Sequence, residues 1–210
     1  MYPKIQYISQ GISAKEQLLT IQKMLDSGIQ WVQLRYKNVP EIEMYRLAES
    51  VKKSIENYEC KFIINDFISV AKAVDADGVH LGLTDEAIEK ARFVLGENAI
   101  IGGTSNTLFD VVTHKNKGCN YVGLGPYAFT TTKEKLSPIL GIEGYQNILQ
   151  NCAELEIDIP IYAIGGIQQN DVEKLISIGV HGIAISGLLT QANHPEKILS
   201  QLNELYYEAT

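Results

Sequence analysis

Pro160-Ile161-Tyr162-Ala163-Ile164-Gly165-Gly166-Ile167 and, one helical stretch later, Gly182-Ile183-Ala184-Ile185-Ser186-Gly187 carry the reading that decides the fold. Each is a short run of apolar and small residues that stops at a glycine or serine, as strands buried on both faces do. Between them Asn170-x-x-Glu173 marks a helix start, and Val172, Leu175 and Ile176 share one helical face. Strand, helix and strand in such a short span make a unit of parallel sheet.

The same unit recurs toward the N-terminus. Strands are expected at Gln6–Ser9, Trp31–Tyr36, Lys61–Asn65, Gly78–Leu81, Ile100–Gly103 and Tyr121–Gly125, with the last two at Pro160–Ile164 and Gly182–Ile185. Ser13-x-x-Glu16 reads as a capping box ahead of Leu18, Ile21 and Leu25, with Gly28 as the stop. Pro40 opens a helix with a stripe of Met44, Leu47, Ala48, Val51 and Ile55. Further stripes fall at Ile88/Ala91/Leu95, Leu108/Val111/Val112 and Tyr145/Ile148/Leu149/Cys152, and the last helix starts near Asn193 and Pro195. Phe67–Val74 is short and poorly patterned. Eight strands alternating with eight helices predict a single-domain α/β chain, a (β/α)8 barrel over residues 1–210, with an open doubly wound sheet as the alternative. Such barrels rarely run below ~200 residues, so the loops must be lean.

Composition narrows the function. The 210 residues are 45% hydrophobic and 20% charged, ordinary for one globular core. A net charge of −7 argues against a nucleic-acid partner, which would need a basic face. Cys60, Cys119 and Cys152 are far apart and odd in number, fitting neither a disulfide framework nor a zinc motif. With no apolar leader and no membrane-length apolar run, a cytoplasmic protein is expected. Oligomeric state stays open; the exposed helix faces leave room for a homo-oligomer.

The strand ends suggest the chemistry, because a barrel's site lies at the C-terminal mouth of its strands. Gln33, Arg35 and Lys37 alternate onto one face, expected to be the interior, where cations await anionic partners. The other reading is that Arg35 and Lys37 have already entered the solvated loop. Asn65-Asp66 and Asp85 bring two carboxylates to neighbouring mouths, a pair that suits one magnesium ion. Asp85 equally suits a helix cap before Glu86-Ala87-Ile88. His80 is expected to face a packed or hydrogen-bonded interior, since no second histidine lies near it in sequence. Gly125-Pro126-Tyr127-Ala128-Phe129-Thr130-Thr131-Thr132-Lys133 offers hydroxyls and an ammonium for phosphate oxygens. Gly165-Gly166 and Ile185-Ser186, after strands seven and eight, offer backbone N–H groups for a phosphate.

Taken together, Gln33-Leu34-Arg35-Tyr36-Lys37, Asn65-Asp66, Ala76-Asp77-Gly78-Val79-His80-Leu81-Gly82 with Asp85, Gly125-Pro126 through Thr130-x-Thr132-Lys133, Ala163-Ile164-Gly165-Gly166-Ile167 and Ile185-Ser186 resemble the thiamine phosphate synthase family over nearly the whole chain. That resemblance implies a (β/α)8 barrel joining an aminopyrimidine pyrophosphate to a thiazole phosphate, with release of pyrophosphate. It implies that Gln33, Arg35, Lys37, Asn65 and Lys133 hold the pyrimidine substrate, with Arg35, Lys37 and Lys133 assisting departure of its pyrophosphate. Asp66 and Asp85 would bind Mg2+, and Thr130, Thr132, Gly166, Ile185 and Ser186 would position the thiazole phosphate.

Four positions depart from the commoner family pattern. Leu83 stands where a Gln is usual, and Phe129 replaces a Pro. Thr104 replaces a Ser but keeps a hydroxyl for pyrophosphate contact, and Asn106 replaces a frequent His. The last change bears on the alternatives. A related thiazole tautomerase would need a base, and Asn106 cannot be one. A noncatalytic thiamine phosphate sensor would need the phosphate loop without a complete metal and pyrophosphate site.

Overall fold

The computed structural model describes residues 2–130 and 137–208. Eight parallel strands close in sequence order: β1 (Ile5–Ile8), β2 (Trp31–Leu34), β3 (Lys61–Asn65), β4 (Gly78–Leu81), β5 (Ile100–Ser105), β6 (Tyr121–Leu124), β7 (Ile161–Ile164) and β8 (Gly182–Ile185), with β8 pairing back onto β1. Around them run α1 (Ala14–Asp26), α2 (Glu41–Ile55), α3 (Ile68–Ala73), α4 (Ile88–Leu95), α5 (Leu108–Asn116), α6 (Gly141–Glu154), α7 (Val172–Ser177), α8 (Gly187–Thr190) and α9 (Pro195–Glu208). This is the (β/α)8 barrel the alternation predicts; the open sheet is excluded by closure.

Element ends differ from the expected ones where backbone partners decide. β2 stops at Leu34 rather than Tyr36, so Arg35 and Lys37 extend beyond the ladder. β5 runs on to Ser105 because Thr104 and Ser105 still pair with Gly123 and Leu124. The weakly patterned stretch after β3 does form α3. Ser13 accepts from Glu16 N at 3.2 Å, but Glu16 Oε2 takes the Ile12 N–H, so the box is shifted by one residue. Asn170 is not the cap ahead of α7: Gln168 and Asp171 form a reciprocal box around a 3-10 turn, Gln169–Asp171. The four-residue α8 was not legible, being too short for periodicity to register.

Two cores result. The larger lies between sheet and helices, fed by Val32, Leu34, Ile64, Val79, Ile101 and Val122 from the strands and by stripes such as Met44, Leu47, Ala48 and Val51. The smaller fills the barrel: Ile8, Trp31, Ile63, Ile100, Tyr121, Tyr162 and Ala184. In it Trp31, Tyr121 and Tyr162 meet edge to face, with centroids 4.9, 5.1 and 5.5 Å apart. Rings this size fit because glycines face them. A Cβ at Gly102 would overlap the Tyr121 ring, and one at Gly182 the Tyr162 ring. Each buried ring contributes about 4–6 kcal/mol of apolar burial before entropy is counted. This plug fills the lower barrel, and the cleft opens above it at the mouth.

Candidate active site

A cleft of about 410 Å³ opens at the C-terminal mouth of the strands. Gln33, Arg35, Lys37, Asn65, Asp66, Asp85, Thr104, Thr130, Gly166, Ile185 and Ser186 all line it. Thr132 and Lys133 lie outside the described residues. Nine of the eleven lining positions follow from strand ends alone; Thr104 and Thr130 lie respectively on β5 and in the loop after β6.

The charged side of the cleft is built by β2, β3 and the loop after β4. Arg35 is fixed through its backbone: its N–H donates to Ser9 Oγ at 2.9 Å and its carbonyl accepts from Gln17 Nε2 at 3.1 Å. Lys37 reaches across to Asp66, Nζ to Oδ2, at 3.1 Å, with the two side chains 44% and 22% exposed. Arg35 and Lys37 have therefore left the strand and still face the cleft, which unites the two readings of that segment.

Asp66 sits in a left-handed turn at φ 68°, a conformation that Asp and Asn tolerate better than most residues, with its N–H held by His80 O at 2.9 Å. Asp85 is not a helix cap. Helix α4 begins three residues later behind Ala87, and Asp85 Oδ2 instead accepts the Gly82 N–H at 2.6 Å. A Cβ at Gly82 would come within 2.8 Å of that carboxylate, which would have to shift. Asp66 and Asp85 stand close enough to perturb each other. Burial, then the contact with Asp85, raises Asp66 to about 6 against the pull of Lys37. Burial also pushes Asp85 up, but the contact with Asp66 and the bond from Gly82 N–H outweigh it and hold Asp85 below the usual carboxylate range. Two neighbouring carboxylates beside the open cleft are oxygen donors that could hold a divalent cation.

The opposite side is built by the loops after β6, β7 and β8. Tyr127 N donates to Ile164 O at 2.8 Å and Ala128 N to Gly165 O at 2.9 Å, stapling the first two loops together. Gly165 and Gly166 have φ 92° and 71°, and a Cβ on Gly166 would strike the carbonyls of Ala128 and Phe129. These glycines thus serve the packing of the two loops against each other. Ser186 Oγ donates to Ile8 O at 2.5 Å, so its side chain ties β8 to β1. The first two residues of α8, Gly187 and Leu188, also line the cleft. A short extra helix after the last strand is a recurrent part of barrel phosphate sites.

Asn106 has both ends of its amide engaged. Nδ2 donates to Gly125 O, and Oδ1 accepts from Ser137 Oγ at 3.0 Å. It fastens both ends of the hydroxyl-bearing loop, a role invisible in sequence because the partners are 19 and 31 residues away. His80 is buried, with Nδ1 3.1 Å from Tyr121 OH and Nε2 3.1 Å from Thr104 Oγ1. Burial lowers it to about 3, so the ring is neutral at physiological pH. It faces a hydrogen-bonded interior, as its isolation in sequence suggests. Gln6 and Tyr121, which join that interior, were missed; period-two alternation along β1 and β6 was the available signal.

A closed barrel with opposed cationic, acidic and glycine-rich groups at its C-terminal mouth defines a (β/α)8-barrel enzyme class that acts in the strand-end cleft. Comparison with known proteins narrows the class. A family model described as thiamine monophosphate synthase matches residues 6–189, and the chain belongs to that family. The thiamine-phosphate synthase of Flavobacterium johnsoniae is 50% identical over 207 residues, covering 99% of this chain and 98% of its own length. That of Flavobacterium psychrophilum is 52% identical over 204 residues, covering 97% and 99%. Among solved structures, thiamine phosphate pyrophosphorylase from Pyrococcus furiosus superposes with a TM-score of 0.82 at 30% identity, covering 98% of this chain and 96% of that one.

Proposed function

We propose that the chain condenses 4-amino-2-methyl-5-hydroxymethylpyrimidine pyrophosphate with 4-methyl-5-(2-phosphoethyl)thiazole, giving thiamine phosphate and pyrophosphate; the carboxylated form of the thiazole would in addition lose CO2 and take up a proton at that carbon. The observation that carries this reading is the juxtaposition, in one cleft, of Arg35 and the Lys37–Asp66–Asp85 cluster with the glycine-rich loops of β7 and β8. The first region suits a pyrophosphate and the second a monophosphate, which are the two anions the coupling brings together.

The chemistry asks little of proton transfer. The bond between the pyrimidine's exocyclic CH2 and the pyrophosphate oxygen breaks, and its electron pair leaves with pyrophosphate. The aminopyrimidine ring spreads the resulting positive charge. The thiazole nitrogen then donates its lone pair to that carbon, and no proton has to move. Catalysis reduces to stabilising the departing charge and aligning the nucleophile.

Arg35, Lys37 and, by the family resemblance, Lys133 supply positive charge to the leaving group, while Gln33 and Asn65 hold the pyrimidine. Asp66 and Asp85 would hold Mg2+, which when bound neutralises pyrophosphate oxygens. The mutual perturbation of those two acids fits that assignment. Thr130, Thr132, Gly166 and the Ile185–Ser186 backbone would hold the thiazole phosphate in line. Isomerisation of the thiazole is disfavoured because Asn106, at the position of a candidate base, spends its amide on Gly125 and Ser137. Among the described residues no helix is long and apolar enough to cross a membrane. Small-molecule substrates and a cytoplasmic setting accord with the reading.

The test is product formation from both substrates, with and without Mg2+. Thiamine phosphate and pyrophosphate should appear in equal amounts and only with Mg2+. A folded protein that binds both substrates and couples neither would overturn the reading.

A further inference from the structure

Beneath the charged mouth, a chain of polar side chains runs through the barrel interior. Gln33 Nε2 donates to Gln6 Oε1 at 3.2 Å, and Gln6 Nε2 donates to Tyr121 OH at 3.1 Å. The Tyr121 oxygen lies 3.1 Å from His80 Nδ1, and His80 Nε2 lies 3.1 Å from Thr104 Oγ1. Gln6, Gln33, Tyr121 and His80 are buried; Gln33, His80 and Thr104 reach the cleft wall, and Thr104 is the more exposed end of the chain. Buried polar chains cost desolvation that apolar side chains would avoid, so a fully connected one calls for a reason beyond packing.

The polarity of the chain supplies that reason. The Tyr121 oxygen already accepts an N–H from Gln6, and the Gln33 amide also faces it. Its proton is therefore directed to His80 Nδ1. A neutral imidazole that accepts at Nδ1 carries its hydrogen on Nε2 and donates it to Thr104 Oγ1. The Thr104 hydroxyl, having accepted from His80, turns its own proton to the cleft. The opposite polarity requires the Gln6 and Gln33 amides to be turned over together, and would aim a Thr104 lone pair at any bound anion.

We propose that His80 is a positioning residue: held as the Nε2–H tautomer by Tyr121, it makes the Thr104 hydroxyl a fixed donor to an anionic oxygen in the cleft. Resting on the coupling reading above, that oxygen belongs to the departing pyrophosphate. A donor aimed in advance costs no reorganisation when charge develops on the leaving group.

The tautomer is tested first, on the ligand-free full chain with 15N-labelled histidine, His80 being assigned by the signals lost in His80→Gln. Pyridine-like Nδ1 and pyrrole-like Nε2 shifts are expected. The reverse pattern overturns the proposal, and neither result depends on turnover. The second test measures affinity for inorganic pyrophosphate with Mg2+, and kcat, in two variants. His80→Gln places an amide N–H near the Nε2 position and should stay within about threefold of wild type, while His80→Asn cannot reach Thr104 and should lose about tenfold.

Equal losses in both variants, or none in either, would reduce His80 to a structural residue. Thr104→Val should lose as much as His80→Asn, with no further loss when the two are combined, and additive losses would overturn the link. If wild type couples nothing yet the pyrophosphate affinities follow this pattern, the coupling reading fails and the positioning role stands. If wild type does not bind pyrophosphate, the donor has been given the wrong partner and the proposal falls.

Discussion

The lower and upper halves of the barrel interior are made by the same strands under the same alternation, yet they hold opposite contents. Along β2, Trp31 is sealed in an aromatic plug, Gln33 one layer up is polar but buried, and Arg35 reaches the open cleft. Along β4 and its exit loop the order is Gly78, His80, Gly82. Lower positions were chosen by volume, with Gly102 and Gly182 admitting tyrosine rings. Upper positions were chosen by charge and tolerate residues that oppose packing, such as two neighbouring acids. Stability is therefore expected to reside below and turnover above.

Four changes would break or sharpen that division. Trp31→Ala removes the centre of the plug and should lower unfolding free energy by about 3–5 kcal/mol, read as a urea midpoint shift. A loss under about 1 kcal/mol would mean that the plug is not the stabilising half. Asp66→Asn keeps a side chain suited to φ 68° but removes a negative charge. It should cut kcat at least about a hundredfold at saturating Mg2+, with stability within about 1 kcal/mol. Unchanged turnover in excess Mg2+ would sink the metal assignment.

Gly102→Ala pushes a methyl into the Tyr121 ring and should cost about 1–3 kcal/mol. Because Tyr121 also contacts His80, a fall in kcat larger than the stability loss predicts would show that the two halves communicate. The smallest effect is a slope. Burial lowers His80 to about 3 in the folded chain, against 6.5 as the ordinary value. Between those values the unfolded chain binds the extra proton. The His80 contribution is thus fully present above about pH 6.5 and falls by about 1.4 kcal/mol per unit as pH drops toward 3. Unfolding curves of wild type and His80→Gln at pH 6.5, 5.5 and 4.5 should diverge by that slope, and parallel curves would mean that the ring is protonated in place.

Much of this was readable in advance, for local reasons. Short apolar runs marked all eight strands, and helical stripes such as Met44/Leu47/Ala48/Val51 marked most helices, because burial periodicity is written residue by residue. The motif Ala76-Asp77-Gly78-Val79-His80-Leu81-Gly82 shows the limit. It reads as one signature, but Asp77 works at the bottom of the barrel, accepting Phe62 N–H at 2.9 Å and pairing with Lys61 at 2.7 Å. His80 works in the middle and Gly82 at the mouth. Alternation could place them on one face but could not say which layer packs and which reacts.

The sequence by itself determined the repeating strand–helix alternation, the inward face of each strand and the kinds of groups at the strand ends. Each of these depends on neighbours within a few positions along the chain. Only the tertiary structure decided that Asp66 and Asp85 come close enough to perturb each other, that Asn106 fastens both ends of the loop after β6, and that Gln6, Tyr121 and His80 connect in one hydrogen-bonded line. Gln6 and Tyr121 are 115 residues apart, and a hydrogen bond is made or lost within tenths of an ångström. Closing the barrel fixes such distances, and no local pattern encodes them.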